Sequence, residues 1–78
     1  MKTITLYTKP DCHLCHEAER ALRALQQEIP FELVLADITH DPRLFERYRY
    51  DIPVVAVEGM ELCRHRVDVD KVRRALKS

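Results

Sequence analysis

The sequence predicts a single α/β domain, residues 1–78, built on a four-stranded mixed sheet with flanking helices. Three observations indicate this class. Short runs alternate β-branched and apolar residues, longer stretches carry apolar residues at helical spacing, and the two kinds of segment follow one another along the chain. With 78 residues, the chain has enough length for one hydrophobic core and too little for two.

The first half of the chain predicts a strand, a helix and a second strand. Thr3–Thr8 alternates as a strand does, and Lys9-Pro10-Asp11 ends it. The next apolar residues form one face of an amphipathic helix that ends before Pro30, and Phe31–Ala36 is the second strand. Because strand, helix and strand over about thirty residues make a βαβ unit, the two strands should be parallel. The helical face consists of Leu14, Ala18, Ala21, Leu22, Leu25 and Ile29.

A short helix and a hairpin follow. Asp41-Pro42 supplies an N-cap and a first-turn proline for a helix that reaches about Tyr48. Pro53–Val57 and Met60–Arg64 are predicted as paired strands, because only Glu58-Gly59, a two-residue turn, separates them.

Asp68 caps a last helix, and the complete order is then β-α-β-α-β-β-α. A βαβ unit joined to a ββα unit is the thioredoxin-type arrangement, so a thioredoxin-like fold is expected. The apolar face of the last helix holds Val69, Val72 and Leu76. The core is predicted to contain Leu14, Leu22, Leu25, Leu33, Leu35, Val54, Val55 and Val57.

Composition and charge exclude some classes of binding partner. The 13 basic and 13 acidic residues give a formal net charge of zero, so the basic excess typical of nucleic-acid binders is absent. The apolar runs are too short to span a bilayer, and Met1-Lys2-Thr3 leads into the first strand without a signal peptide. We therefore expect a cytoplasmic monomer with no nucleic-acid or membrane partner.

Cys12 and Cys15 are the candidate catalytic residues. Three cysteines are an odd count, which does not suggest a secreted disulfide framework. Residues i and i+3 at the start of a helix share a face within reach of a disulfide, and the free N–H groups and helix dipole stabilise a thiolate there. We expect Cys12 to be the attacking thiolate and Cys15 the resolving thiol, with Cys63 a small core residue.

Charged side chains near the pair should change the stability of the Cys12 thiolate. Lys9 and His13 would favour the Cys12 thiolate, whereas Asp11 would oppose it. A partly protonated His13 between the cysteines should stabilise the thiolate and make the disulfide more oxidising.

Two alternatives use the same thiols. Cys12-His13-Leu14-Cys15-His16 also spells the C-x-x-C-H attachment motif of c-type haem, with Met60 as distal ligand, although haem attachment belongs to exported proteins. The same cysteines with Cys63 and His65 would form a Cys₃His zinc site, and thiolates also hold iron–sulfur clusters. A metal-binding module is thus the alternative to redox chemistry. Our preferred interpretation has no bound metal or cofactor.

Two segments resemble the glutaredoxin family. Tyr7–Cys15 is similar to the strand end, lysine and C-P-Y-C site of glutaredoxins, and Asp51–Val55 to their T-V-P segment, whose proline is cis and faces the cysteines. The turn at Glu58-Gly59 fits the hairpin that follows, and the element order agrees over essentially the whole chain. The sequence looks closest to small bacterial glutaredoxin-like proteins. The resemblance implies a thiol–disulfide oxidoreductase that acts in electron transport and cell redox homeostasis.

The resemblance also implies roles and partners. Cys12 would be the nucleophile and Cys15 the resolver, while Ile52 would offer its backbone N–H and C=O to an extended peptide such as glutathione. Lys9 would lie near a glutathione carboxylate. Implied partners are protein or glutathione mixed disulfides, with glutathione as reductant or co-substrate, or a flavoprotein reductase. The substrate-binding residues would be Lys9, His13, Leu14, Ile52 and Pro53.

Three departures from the family pattern concern the glutathione site. His13 and Leu14 replace the usual Pro and Tyr, and Asp51 stands where Thr is usual and adds negative charge near the thiolate. Cys63–Arg66 occupies the stretch of the family's Gly-Gly pair, leaving Asp68 as a stand-in for the acidic residue at the helix start. Redox chemistry is therefore supported better than glutathione as the partner.

Overall fold

A computed structural model describes residues 1–78 and has the predicted element order. A four-stranded sheet, in the order β2-β1-β3-β4, carries two helices on one face and one on the other. None of the helices combines the length and apolar composition needed to cross a membrane. The elements are β1 (Thr3–Thr8), α1 (His13–Glu28), β2 (Glu32–Asp37), α2 (Pro42–Tyr48), β3 (Val54–Val57), β4 (Met60–Arg64) and α3 (Val69–Lys77).

The strand register brings three segments of the chain together at one edge of the sheet. β1 runs parallel to β2, as predicted, and antiparallel to β3. Tyr7 pairs with Val54, and Val54 pairs with Arg64 on the other side. The carboxyl end of β1 therefore lies beside the start of β3 and the end of β4. The segment after β1, the residues before β3 and the connection from β4 to α3 all meet at this edge.

The main core lies between the sheet and the pair of helices α1 and α3. Ile4 and Leu6 of β1 are fully buried there. Two predicted core residues are wrong: Leu14 is 46% exposed and Leu35 is 42% exposed. Leu35 lies on the edge strand β2, and Leu14 lines a groove at the first turn of α1. The cluster also contains Ala18, Leu22, Leu25, Phe31, Val55, Val57, Cys63 and Val72.

Local capping explains where the helices start. Asp41 and Asp68 cap α2 and α3 as predicted, and their carboxylates accept from Arg43 N–H at 2.9 Å and Lys71 N–H at 3.1 Å. A single 3₁₀ turn, Ile38–His40, was not predicted. It forms because the Asp37 carboxylate accepts from the N–H of Thr39 at 2.9 Å.

The β3–β4 hairpin has the predicted two-residue turn. Glu58 and Gly59 have φ values of 51° and 82°, the left-handed pair that a type I′ turn requires. No other heavy atom lies within 4 Å of a Cβ built on Gly59, so glycine is favoured there by its backbone angle and not by lack of space.

Candidate active site

Cys12 is the N-cap of α1. Its backbone is extended, with φ −111° and ψ 108°, and its Sγ accepts a hydrogen bond from the Cys15 N–H at 3.2 Å. Its carbonyl accepts from the His16 N–H at 3.1 Å, which starts the helical ladder. The two sulfurs are joined in a disulfide with the Cα atoms 5.2 Å apart. The sequence prediction that this pair lies within reach of a disulfide is thus confirmed.

The two cysteines differ in access. The Cys15 side chain lies on the inner face of α1 and is fully buried, in line with Ala18 and Leu22 along the core face. Cys12, at the helix end, is only partly buried. A large external partner can therefore reach the sulfur of Cys12 before that of Cys15.

The charged neighbours of Cys12 are largely paired with one another. Lys9 Nζ lies 3.8 Å from Asp11 Oδ1, so the predicted help of one charge and opposition of the other offset each other. His13 is exposed, and its Nε2 lies 3.7 Å from Glu17 Oε2. The first turn of α1 contains no acidic residue. The free N–H groups and the dipole of α1 are therefore the main fixed features that favour a thiolate here.

Pro53 lies at the same edge of the sheet as Cys12. It is buried and directly precedes β3, and its peptide bond with Ile52 is cis, as the resemblance implied. One implied role is corrected, because the Ile52 N–H already donates to the Tyr48 carbonyl at 3.2 Å. The Ile52 carbonyl has no partner within the chain. The Ile52 N–H is therefore not available as the donor that the resemblance implied, and only the Ile52 carbonyl is left without a partner.

Asp51 is held by the end of β4. Its Oδ2 lies 2.9 Å from Arg64 Nη1, and its carbonyl accepts from the His65 N–H at 3.0 Å. His65 Nε2 also lies 3.9 Å from Asp51 Oδ1. The negative charge expected to oppose the thiolate is therefore offset by Arg64, and the loop that leads to Pro53 is tied to β4.

Arg64 also binds a second carboxylate, that of Glu61, which the sequence analysis did not identify. Tyr48 donates its hydroxyl to Glu61 Oε2 at 2.6 Å, and Arg64 Nη2 lies 2.7 Å from Glu61 Oε1. Burial, with the hydrogen bond to Glu61, raises the pKa of Tyr48 to about 12. The hydrogen bond from Tyr48 and the charge of Arg64 lower the pKa of Glu61. No local pattern marks Glu61, because its partners lie on α2 and at the end of β4.

The residues of the alternative four-ligand zinc site do not come together. Cys63 is buried in the main core, where its Sγ accepts from the Asp68 N–H at 3.5 Å. No three side chains of His, Cys, Asp or Glu lie together in a group that could hold a metal ion. Cys63 and His65 therefore do not join Cys12 and Cys15, and the core assignment of Cys63 is confirmed.

The glutaredoxin-like domain family (DUF836) matches residues 3–77. The chain belongs to this family. It is 27% identical over 75 residues to a glutaredoxin-like protein of Dictyostelium discoideum, a match that covers 88% of this chain and 69% of the relative.

Two solved structures extend the family comparison. The protein Ne2328 of Nitrosomonas europaea superimposes with a TM-score of 0.83 at 32% identity, covering 95% of this chain and 89% of that one. The glutaredoxin-like protein NrdH-redoxin of Escherichia coli superimposes with a TM-score of 0.64 at 26% identity, covering 92% of each chain. The thioredoxin-like fold is thereby confirmed.

The burial of Tyr48 and its hydrogen bond to Glu61 predict a pH-dependent stability. Tyrosine ionises near 10 in an unfolded chain, so between about 10 and about 12 the folded state keeps a proton that the unfolded state has released. The free energy of unfolding should therefore fall as pH rises through this window. Tyr48→Phe should flatten the fall and cost about 1–3 kcal/mol at neutral pH. Urea unfolding at a series of pH values measures both effects.

Tyr50→Phe is the matched control for this experiment, because Tyr50 is 78% exposed. It should leave the pH profile of the wild-type protein unchanged. Parallel profiles for Tyr48→Phe and the wild type would contradict the assignment.

His13 and Glu17 should act on the Cys12 thiolate in opposite directions. His13→Ala removes a basic side chain and should raise the pKa of Cys12, whereas Glu17→Gln removes a carboxylate and should lower it. Both changes are made in a Cys15→Ser background, so that the reactive pair contributes only Cys12 to the titration. The ultraviolet absorbance of the thiolate gives the pKa. An unchanged pKa in both variants would refute a role for these charges.

Proposed function

We propose that this protein is a thiol–disulfide oxidoreductase that reduces protein disulfides through Cys12 and Cys15. The observation that carries the proposal is the position of the pair. A partly exposed Cys12 caps α1, a buried Cys15 follows one turn later, and the two sulfurs are bonded to each other. Attack and resolution can therefore be divided between the two thiols.

Reduction of a target would proceed in two exchanges. The Cys12 thiolate attacks one sulfur of the substrate disulfide, forming a mixed disulfide and releasing the first substrate thiolate, which takes up a proton. Cys15 then loses its proton and attacks Cys12 Sγ, which releases the second substrate thiol. Two electrons have passed to the substrate, and the Cys12–Cys15 disulfide remains. An external thiol or dithiol reductant restores the dithiol by the reverse exchanges.

The surroundings of Pro53 favour peptide substrates. The Ile52 carbonyl is free to accept a hydrogen bond from an extended chain, in the manner of strand addition, while its N–H is occupied. Glutathione is supported less well, because Cys63–Arg66 replaces the family's Gly-Gly stretch and the Asp68 carboxylate caps α3. NrdH-redoxin, one of the solved relatives, has a thioredoxin-like activity profile. That profile favours protein disulfides as the targets here too.

Serine variants of the pair test the mechanism. Cys12→Ser should abolish reduction of a small neutral disulfide, hydroxyethyl disulfide, because no accessible thiolate remains. Cys15→Ser should stop after the first exchange and accumulate a mixed disulfide on Cys12, which intact-mass spectrometry detects. Cys63→Ala is the matched control and should keep the wild-type rate. Wild-type activity in Cys12→Ser would contradict the proposal.

A further inference from the structure

A groove opens beside the reactive pair, between the first turns of α1 and the connection from β4 to α3. Its volume is about 390 Å³, within the range of sites that hold a small ligand or a few side chains. Leu14, which lies between the two cysteines and is 46% exposed, forms part of its wall. Neither cysteine lines the groove, but Leu14 is only two residues from Cys12 in the first turn of α1, so this end of the groove approaches the reactive pair. The other lining residues are Glu17, Ala18, Ala21, His65, Arg66, Val67 and Val69.

The groove has an apolar centre with opposite charges on its two walls. Glu17 stands on the α1 wall, where His13 lies 3.7 Å away. Arg66 stands on the other wall and is exposed, and it has no ion pair or hydrogen bond within the chain. Arg64, two residues earlier, is by contrast occupied by Asp51 and Glu61. Arg66 is thus a free guanidinium at the rim of an apolar groove.

The backbone at His65 has an unusual conformation that a hydrogen bond holds in place, so this wall of the groove is well defined. His65 has φ 69°, a left-handed conformation that glycine adopts freely and a side chain makes costly. Its N–H is bonded to the Asp51 carbonyl, which holds this conformation in place. His65 and Arg66 thus line the same wall, but the His65 imidazole lies 3.9 Å from Asp51 Oδ1, which leaves Arg66 as the unpaired basic side chain.

We propose that this groove selects protein disulfides whose cysteine is preceded by an apolar residue and, before it, an acidic residue. This inference rests on the proposed function and names its substrate class. The apolar side chain packs against Leu14 and Val67, which removes apolar surface of both partners from water. The carboxylate pairs with Arg66, on the wall opposite Glu17. A lysine in the place of the acidic residue meets Arg66 as a like charge.

The test uses disulfide-linked dimers of acetylated and amidated tripeptides: Glu-Leu-Cys, Gln-Leu-Cys, Lys-Leu-Cys and Glu-Ser-Cys. The reduced protein is mixed with each peptide, and the second-order rate constant is divided by that for dithiothreitol, which corrects for the reactivity of the peptide itself. The Glu-Leu-Cys peptide should react about two- to fivefold faster than the Lys-Leu-Cys peptide, the range that one favourable surface ion pair gives. High salt should reduce this ratio, and Glu-Ser-Cys should react more slowly than Glu-Leu-Cys.

Two charge-reversal variants distinguish an effect of the groove from an effect of the protein's net charge. Arg66→Glu should invert the preference between the Glu and Lys peptides. Arg74→Glu makes the same charge change at an exposed residue of α3 outside the groove and should leave the preference as in the wild type. Equal rates for all peptides, or equal effects of the two reversals, would overturn the inference while the reductase function stands. Failure of the wild type to reduce even the Gln-Leu-Cys peptide would refute the proposed function instead.

Discussion

The antiparallel register of β3 on β1 is the constraint on which the site depends. Because Tyr7 lies opposite Val54, the chain must leave β1 toward Cys12 at the same edge where Pro53 enters β3. The pairing of Val54 with Arg64 brings the end of β4 to that edge as well. The hydrogen bonds of one sheet thus bring Cys12 close to Pro53 and Arg64, which lie about forty and fifty residues later in the chain.

The same geometry divides the work between the two thiols. α1 starts at the carboxyl end of the central strand and runs back across the sheet, so its inner face is buried while its first turn stays at the surface. Cys12 benefits from the free N–H groups of the helix end, and Cys15 is shielded one turn later. Arg64 joins Asp51 to Glu61 and so fixes the loop that faces the pair.

The elements of this fold could be predicted from local patterns because each carries its own signal. Alternation marked Thr3–Thr8, Asp41 and Asp68 marked helix starts, and Glu58-Gly59 marked the hairpin. The 3₁₀ turn escaped prediction because a single side chain, Asp37, creates it.

Other features depend on tertiary contacts that no local pattern reports. Leu14 and Leu35 have core-like spacing, yet the chain supplies nothing to cover either of them fully. The ion pairs of Arg64 and the bond from the Ile52 N–H to the Tyr48 carbonyl likewise join segments through the folded structure. The cysteine pair was predictable because its chemistry requires only two cysteines three positions apart at the start of a helix.

The reduction potential of the Cys12–Cys15 pair shows whether these two thiols work as a redox couple. Protein equilibrated in glutathione or dithiothreitol redox buffers is trapped with a thiol-alkylating reagent, and mass spectrometry counts the free thiols. We expect a single two-electron transition between about −200 and −270 mV, the range of glutaredoxins and thioredoxin. If the pair forms no intramolecular disulfide at any buffer potential, these two thiols are not a redox couple and the protein is not a dithiol oxidoreductase.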